Sequence, residues 1–207
     1  MSPTLPGQTV DLAGTLRRLQ RLARLDQSVF AELVADSSQT LAAVLVAALA
    51  FGVAAFSGWL WLIAETEGLS TSRIAVREFL LGGLVLAACW LAWVGLVQGV
   101  LSRVTAQPIE FRTLLRPMAF ATLPLALQLF MALPELAYGV GLISLVAWFG
   151  LSVAATEAAM PAATRKQALL ANGAGFTFVA LVISALGSAA AIAPGAFAQG
   201  SNLSHLV

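Results

Sequence analysis

Apolar residues gather in five long runs along the chain, separated by polar or proline-bearing segments. The first run, Thr40 to Ala64, contains no ionisable residue. A helix needs about 20 apolar residues to cross a ~30 Å hydrocarbon core, so this run predicts a membrane span with length to spare for tilt. Further spans are predicted near 79–101, 118–133, 136–155 and 176–192. The third is short, roughly 24 Å as a straight helix, and Pro124 interrupts it. Pro134 and Glu135 follow at once, which makes the third and fourth runs an antiparallel hairpin. Counting that pair as one re-entrant unit gives four spans instead of five.

Ahead of the spans, residues 1–10 carry two prolines and a glycine and predict an irregular start. A helical pattern covers 11–36: Leu12, Leu16, Leu19, Ala23, Val29 or Phe30, and Leu33 recur at steps near three or four. Arg17, Arg21 and Arg24 share another face, with Arg18 beside them. An amphipathic helix of this kind lies in the headgroup region of an anionic leaflet, or else packs on the protein's own loops; the pattern allows both. Asp36–Thr40 supplies a break and a cap for the first span. Between spans, Glu65–Glu78 reads as a polar connection with a helical second half. Ser102–Pro117 reads as a basic one ending in a short interfacial helix that presents Arg112 and Arg116. Thr156–Gly175, with Arg165 and Lys166, is polar enough to leave the bilayer. Residues 194–207 read as an irregular tail. The fold class is therefore all-α: a polytopic transmembrane bundle of about five spans over 40–193, after an N-terminal segment 1–39 with its amphipathic helix.

Within the spans, Trp59 and Trp61 suit an interfacial belt, whereas Trp90 and Trp93 fall mid-span and predict packing against neighbouring helices. Gly95 and Gly99 form a GxxxG spacing that permits close helix approach. Pro124 and Pro134 are the other candidate packing positions.

Composition agrees with a lipid environment: 59% of the 207 residues are hydrophobic and 10% charged, against about a quarter charged in soluble domains. The first apolar run starts behind a charged segment and is too long for a signal-peptide core, so no cleavable signal is expected. Heavy Ala, Leu and Arg usage with one lysine points to a GC-rich bacterial genome. Charge then sets the orientation. With a cytoplasmic N-terminus, every basic residue except Arg73 and Arg77 falls on the cytoplasmic side, which the positive-inside bias favours. The same bias favours an odd number of spans and places the C-terminus on the far side.

Catalytic chemistry is hard to find. The one histidine, His205, lies in the tail, and the one cysteine, Cys89, sits in an apolar run. Neither a zinc-binding HExxH nor a phosphate-binding loop is present. Ser57, Ser144 and Ser184 lie in apolar helices where serine ordinarily bonds backbone. No catalytic, cofactor-binding or metal-ligating residue is expected, and no nucleic-acid surface. Transport calls for ionisable groups inside the spans, yet Glu78, Glu135 and Glu157 stand at span ends. A transporting or permease-like chain would need a wet cavity lined by Gln98, Thr122, Gln128 or Ser144; an accessory subunit of a larger complex is a third reading.

Two stretches carry a resemblance. Leu22–Phe56, with its LD-x-x-VF-x-EL-x-x-D run before an Ala-rich helix, resembles bacterial members of the Yip family, the Rab-GTPase-interacting type of membrane protein. Phe111–Met160 is similar to the second half of that family, with a basic lead, a Pro-bearing short span, a Pro-containing hairpin and a span with a mid-helix Trp; Arg165–Leu170 resembles the basic segment before its last helix. The resemblance implies five spans, a cytoplasmic N-terminus, a C-terminus across the membrane, and a role in membrane organisation or protein and lipid interaction. The family's eukaryotic DLYGP-type motif has no counterpart here, so Rab partnership is not carried over. Expected partners are membrane lipids and other membrane proteins or further copies of the chain. They would be met by Arg17, Arg18, Arg21, Arg24, Arg112, Arg116, Arg165 and Lys166.

Overall fold

The computed structural model describes residues 11–65, 79–190 and 195–200, without the side chains of 62–65, 134, 188–190 and 198–200. Expectations for 1–10, for the connection 66–78 with Arg73 and Arg77, and for 201–207 with His205 lie outside the described residues. Among the described residues seven α-helices follow in order: α1 (Leu12–Ala23), α2 (Ser28–Ala35), α3 (Thr40–Glu65), α4 (Gly82–Thr105), α5 (Phe111–Phe120), α6 (Pro134–Ala159) and α7 (Arg165–Ala190). Among the described residues there is no strand. Five of the described stretches are long and apolar enough to cross a membrane: Ser37–Trp61, Phe79–Thr105, Phe111–Ala132, Glu135–Ala159 and Arg165–Gly187. The chain is thus an all-helical protein of the integral-membrane type.

The third stretch differs from a plain span, and its geometry explains how a marginal length suffices. α5 ends at Phe120, and Leu123–Ala132 continues as a 3-10 helix with Pro124 in its first turn. A 3-10 helix rises about 2.0 Å per residue against 1.5 Å for an α-helix, so 111–132 extends to roughly 35 Å. Here the span starts at Phe111, ahead of the expected 118, because the basic lead is already helical. It is the least hydropathic of the five yet the most enclosed, with 72% of its apolar window buried against 28% for the last span. Neighbouring helices cover it: α3 and α6 both pack along the 3-10 segment and α5.

The aromatic core sits between α3, α4, α6 and α7. Trp93 and Trp148 meet at 5.0 Å between ring centroids, Phe176 closes on Trp93 at 5.7 Å, and Phe51 lies 5.4 Å from Trp90. Mid-span packing of Trp90 and Trp93 is therefore seen. Trp61 is buried in a second cluster with Met131 and Ala137. Gly175 lets α7 pass Trp93, since a Cβ there would fall inside the indole ring edge. Two boundaries also move. α7 begins at Arg165, well before 176, because Thr164 and Gln167 form a reciprocal cap: Thr164 N–H donates to Gln167 Oε1 at 2.8 Å and Gln167 N–H to Thr164 Oγ1 at 3.3 Å. The tail is irregular only in part, because Gly195–Gly200 forms a 3-10 turn against α3, α6 and α7. Gly195 has φ +61, and Ala196 N–H donates to the buried Gln128 Oε1 at 3.2 Å.

Candidate functional site: the basic N-terminal helix pair

The predicted helix over 11–36 is broken in two. Asp11 caps α1 by accepting from Gly14 N–H at 2.9 Å. α1 closes in a Schellman turn, with Asp26 N–H donating to Arg21 O at 3.1 Å and Leu25 N–H to Leu22 O at 2.9 Å. The left-handed position of that turn, where glycine is usual, is Leu25 at φ 64. α2 then sets off in a new direction behind Asp26, whose carboxylate accepts from Ser28 N–H and Oγ–H.

The two helices have different neighbours. α2 packs on α5 and α6, and its Val29, Phe30 and Leu33 are fully buried in the main core with Leu22 of α1. α1 keeps Leu12 and Leu16 largely uncovered by protein, at 67% and 59% exposure, with Leu25 at 75%. The first half of its apolar stripe, Leu12 and Leu16, is therefore left uncovered, while Leu19 and Leu22 turn into the core.

The candidate basic residues separate in the same way. Arg21 is engaged from three sides: Nε to Asp26 at 2.8 Å, Nη1 to Glu32 at 2.6 Å and Nη2 to Ser28 Oγ at 2.8 Å. Arg18 lies 3.8 Å from Glu32 and 3.7 Å from Asp36 and donates to Gln39 Oε1 at 3.0 Å. Both arginines thus lace α1 to α2, and Arg18 also reaches the segment that leads into α3. The Ser28 hydroxyl, and then the Arg21 guanidinium, hold the Asp26 carboxyl below the usual carboxylate range. The Ser38 hydroxyl does the same for Asp36.

Arg17 bonds only the carbonyl of Ala13 one turn back, and Arg24 has no ion pair or side-chain hydrogen bond among the described residues. Arg112 and Lys166 are likewise exposed and unpaired among the described residues, and Arg165 is 89% exposed at 3.8 Å from Glu157.

Arg116 is not on this face. It is buried, 6% exposed, and donates from Nε to Leu33 O at 2.9 Å and from Nη2 to Val34 O at 2.8 Å. Those are carbonyls of the last turn of α2, which have no partner within their own helix. A buried cation held by the negative end of a helix is a clamp, and it accounts for α2 being seated so firmly. A Cβ on Gly95 or Gly99 would meet nothing within 4 Å, so this GxxxG draws no two described helices together. Pro124 starts the buried 3-10 segment and Pro134 the first turn of α6.

The polar residues that a transport path would need are bonded inside the protein. Gln98 Nε2–H donates to Ile109 O at 2.8 Å, Gln128 Nε2–H to Ser144 Oγ at 3.0 Å, Ser144 Oγ–H to Gly141 O at 2.8 Å and Thr122 Oγ1–H to Ala119 O at 2.6 Å. This counts against a wet cavity along them. The described residues contain no group of three or more His, Cys, Asp or Glu able to hold a metal ion.

A groove does run beside the helix pair. It encloses about 440 Å³ between the turn at Leu22–Leu25, the 3-10 segment and the middle of α6. Its lining consists only of leucine, alanine, proline and glycine. Comparison with protein families, with curated proteins and with solved structures gives no match to this chain.

Proposed function

We propose that this is a non-enzymatic integral membrane protein of the Yip type, acting as a scaffold for membrane organisation and for lipid or protein interaction. In this reading the N-terminus lies in the cytoplasm of a bacterium, the C-terminus lies across the cytoplasmic membrane, and α1 rests in the inner leaflet's interface. One observation carries it: α1 turns Leu12 and Leu16 away from the bundle while Arg17 and Arg24 beside them stay unpaired among the described residues. Leucines left uncovered beside guanidinium groups without an ion-pair partner among the described residues suit the boundary between acyl chains and anionic headgroups. Each basic residue near such a surface contributes about 1 kcal/mol. By connectivity, Arg112, Arg165 and Lys166 stand at the same end of the bundle and add to the attraction.

The test uses the full chain in nanodiscs, with a nitroxide attached through Leu16→Cys in a Cys89→Ala background. In phosphatidylglycerol discs the label should collide more with oxygen than with a water-soluble nickel chelate. Replacing Arg17 and Arg24 with Gln, or raising salt, should shrink that difference. Water-like collisions in every lipid composition would overturn the reading.

A further inference from the structure

We propose that the groove under the α1–α2 turn takes one acyl chain of an anionic phospholipid, with the lipid phosphate on Arg24. The proposal rests on α1 lying in the membrane interface and adds a specific lipid site to it.

Three independent features point to this occupant. The first is the groove, whose volume of about 440 Å³ falls within the ~300–1,000 Å³ range of small-ligand sites. Leu22, Ala23 and Leu25 form one side, and Pro124, Leu127 and Leu151 are among the residues opposite. No lining side chain can hydrogen-bond. An extended peptide segment would bring N–H and C=O groups that these side chains could not satisfy, at several kcal/mol each in an apolar setting. A hydrocarbon chain brings none.

The second feature is Leu25. A left-handed backbone costs an ordinary residue roughly 1–2 kcal/mol over glycine, and Leu25 bears that cost while 75% exposed. Burial in the protein core cannot explain a leucine there. Contact with hydrocarbon at the mouth of the groove does, because the side chain then has an apolar neighbour that the bundle does not provide.

The third is charge. Arg24 stands in sequence between two residues that line the groove. Arg18 and Arg21, on the same helix, are matched by Glu32, Asp26 and Asp36. Arg24 has no such partner among the described residues, and a phosphate would supply one.

The experiment is native mass spectrometry of the full chain, delipidated in mild detergent and offered phosphatidylglycerol or phosphatidylcholine. Wild type should retain one phosphatidylglycerol and hold it about tenfold better than phosphatidylcholine. Arg24→Gln should bring the two lipids level, while Arg103→Gln, the same charge change on α4 away from the groove, should leave the preference intact. Gly150→Leu fills the groove from α6, where an added Cβ meets nothing within 4 Å, so it should fold and yet lose the retained lipid.

Retention by Gly150→Leu, or an equal fall in Arg103→Gln, would overturn the site. Equal retention of both lipids by wild type would overturn the assignment of the phosphate to Arg24. A label at position 16 that stays lipid-exposed while no lipid is retained would remove the site and leave the scaffold reading standing. Retained lipid with a water-exposed label would do the reverse.

Discussion

α1 and α2 come from one continuous amphipathic pattern, are joined by a single turn, and differ in how much of their apolar surface the bundle covers. α2 inserts Val29, Phe30 and Leu33 into the bundle and has its last carbonyls held by the buried Arg116. α1 is tied to α2 through Arg18 and Arg21, but Leu12 and Leu16 touch little of the protein. The difference shows what amphipathicity does and does not specify. It fixes that one face must leave water, while the choice between protein and lipid is made by what lies across from that face. α2 meets the α5–α6 surface and a cation placed to receive its C-terminus; α1 meets neither.

The sharpest way to break the contrast is to unseat α2. Phe30→Ala removes a fully buried ring from the core and should destabilise the docked pair by about 3–5 kcal/mol. Protease cleavage near the α1–α2 turn should rise steeply in detergent, with the five spans left helical by circular dichroism. Arg116→Ala comes next. It strands two carbonyls at the end of α2 and should cost about 2–4 kcal/mol, read as the same cleavage and a lower Tm, with Arg116→Lys recovering part of the loss.

Gly175→Ala probes the other side of the comparison. It forces the α7 backbone away from Trp93 and should cost about 1–3 kcal/mol, lowering the Tm of the bundle without raising cleavage at the turn. Leu25→Gly has the opposite sign: relief of the left-handed leucine should raise stability by about 1 kcal/mol while lipid retention at the groove falls.

The smallest effect is that of pH. Asp26 and Asp36 have carboxyls held below their ordinary range, chiefly by the Ser28 and Ser38 hydroxyls. A lowered folded-state pKa contributes stability that is present above the unfolded value and lost as pH falls through the folded one. Acidification past the usual carboxylate range should therefore loosen the lacing between α1 and α2 before the bundle itself responds. Hydrogen exchange of the Ser28 and Ser38 amides as pH is lowered measures it.

Several local features were legible in the chain. Thr164 and Gln167 spell a capping box three residues apart, a signal that dates the start of α7 to Arg165 and was available from spacing alone. Asp36 announced the break before the first span and caps the 3-10 turn Ser37–Gln39 that leads into it. Arg116 looked like one more surface arginine of a basic connection, since nothing local distinguishes it from Arg112 four residues earlier; its partners, Leu33 and Val34, are some eighty residues away in the chain. The GxxxG of Gly95 and Gly99 was equally ambiguous, while Gly175, which does let α7 pass against Trp93 of α4, belongs to no GxxxG spacing. Leu25 ran against expectation because a leucine in a helical pattern reads as helix, not as the left-handed end of one.

Hydropathy and its period settled that five stretches are long and apolar enough to span a membrane, because the requirement is local: each backbone bonds within its own helix and each span needs only enough apolar side chains. The tertiary structure alone decided which span is enclosed by protein, that 3-10 geometry lengthens it, which arginines are matched, and where an apolar groove opens. Those outcomes depend on what stands across from a residue, and a linear order of side chains does not state its own neighbours in space.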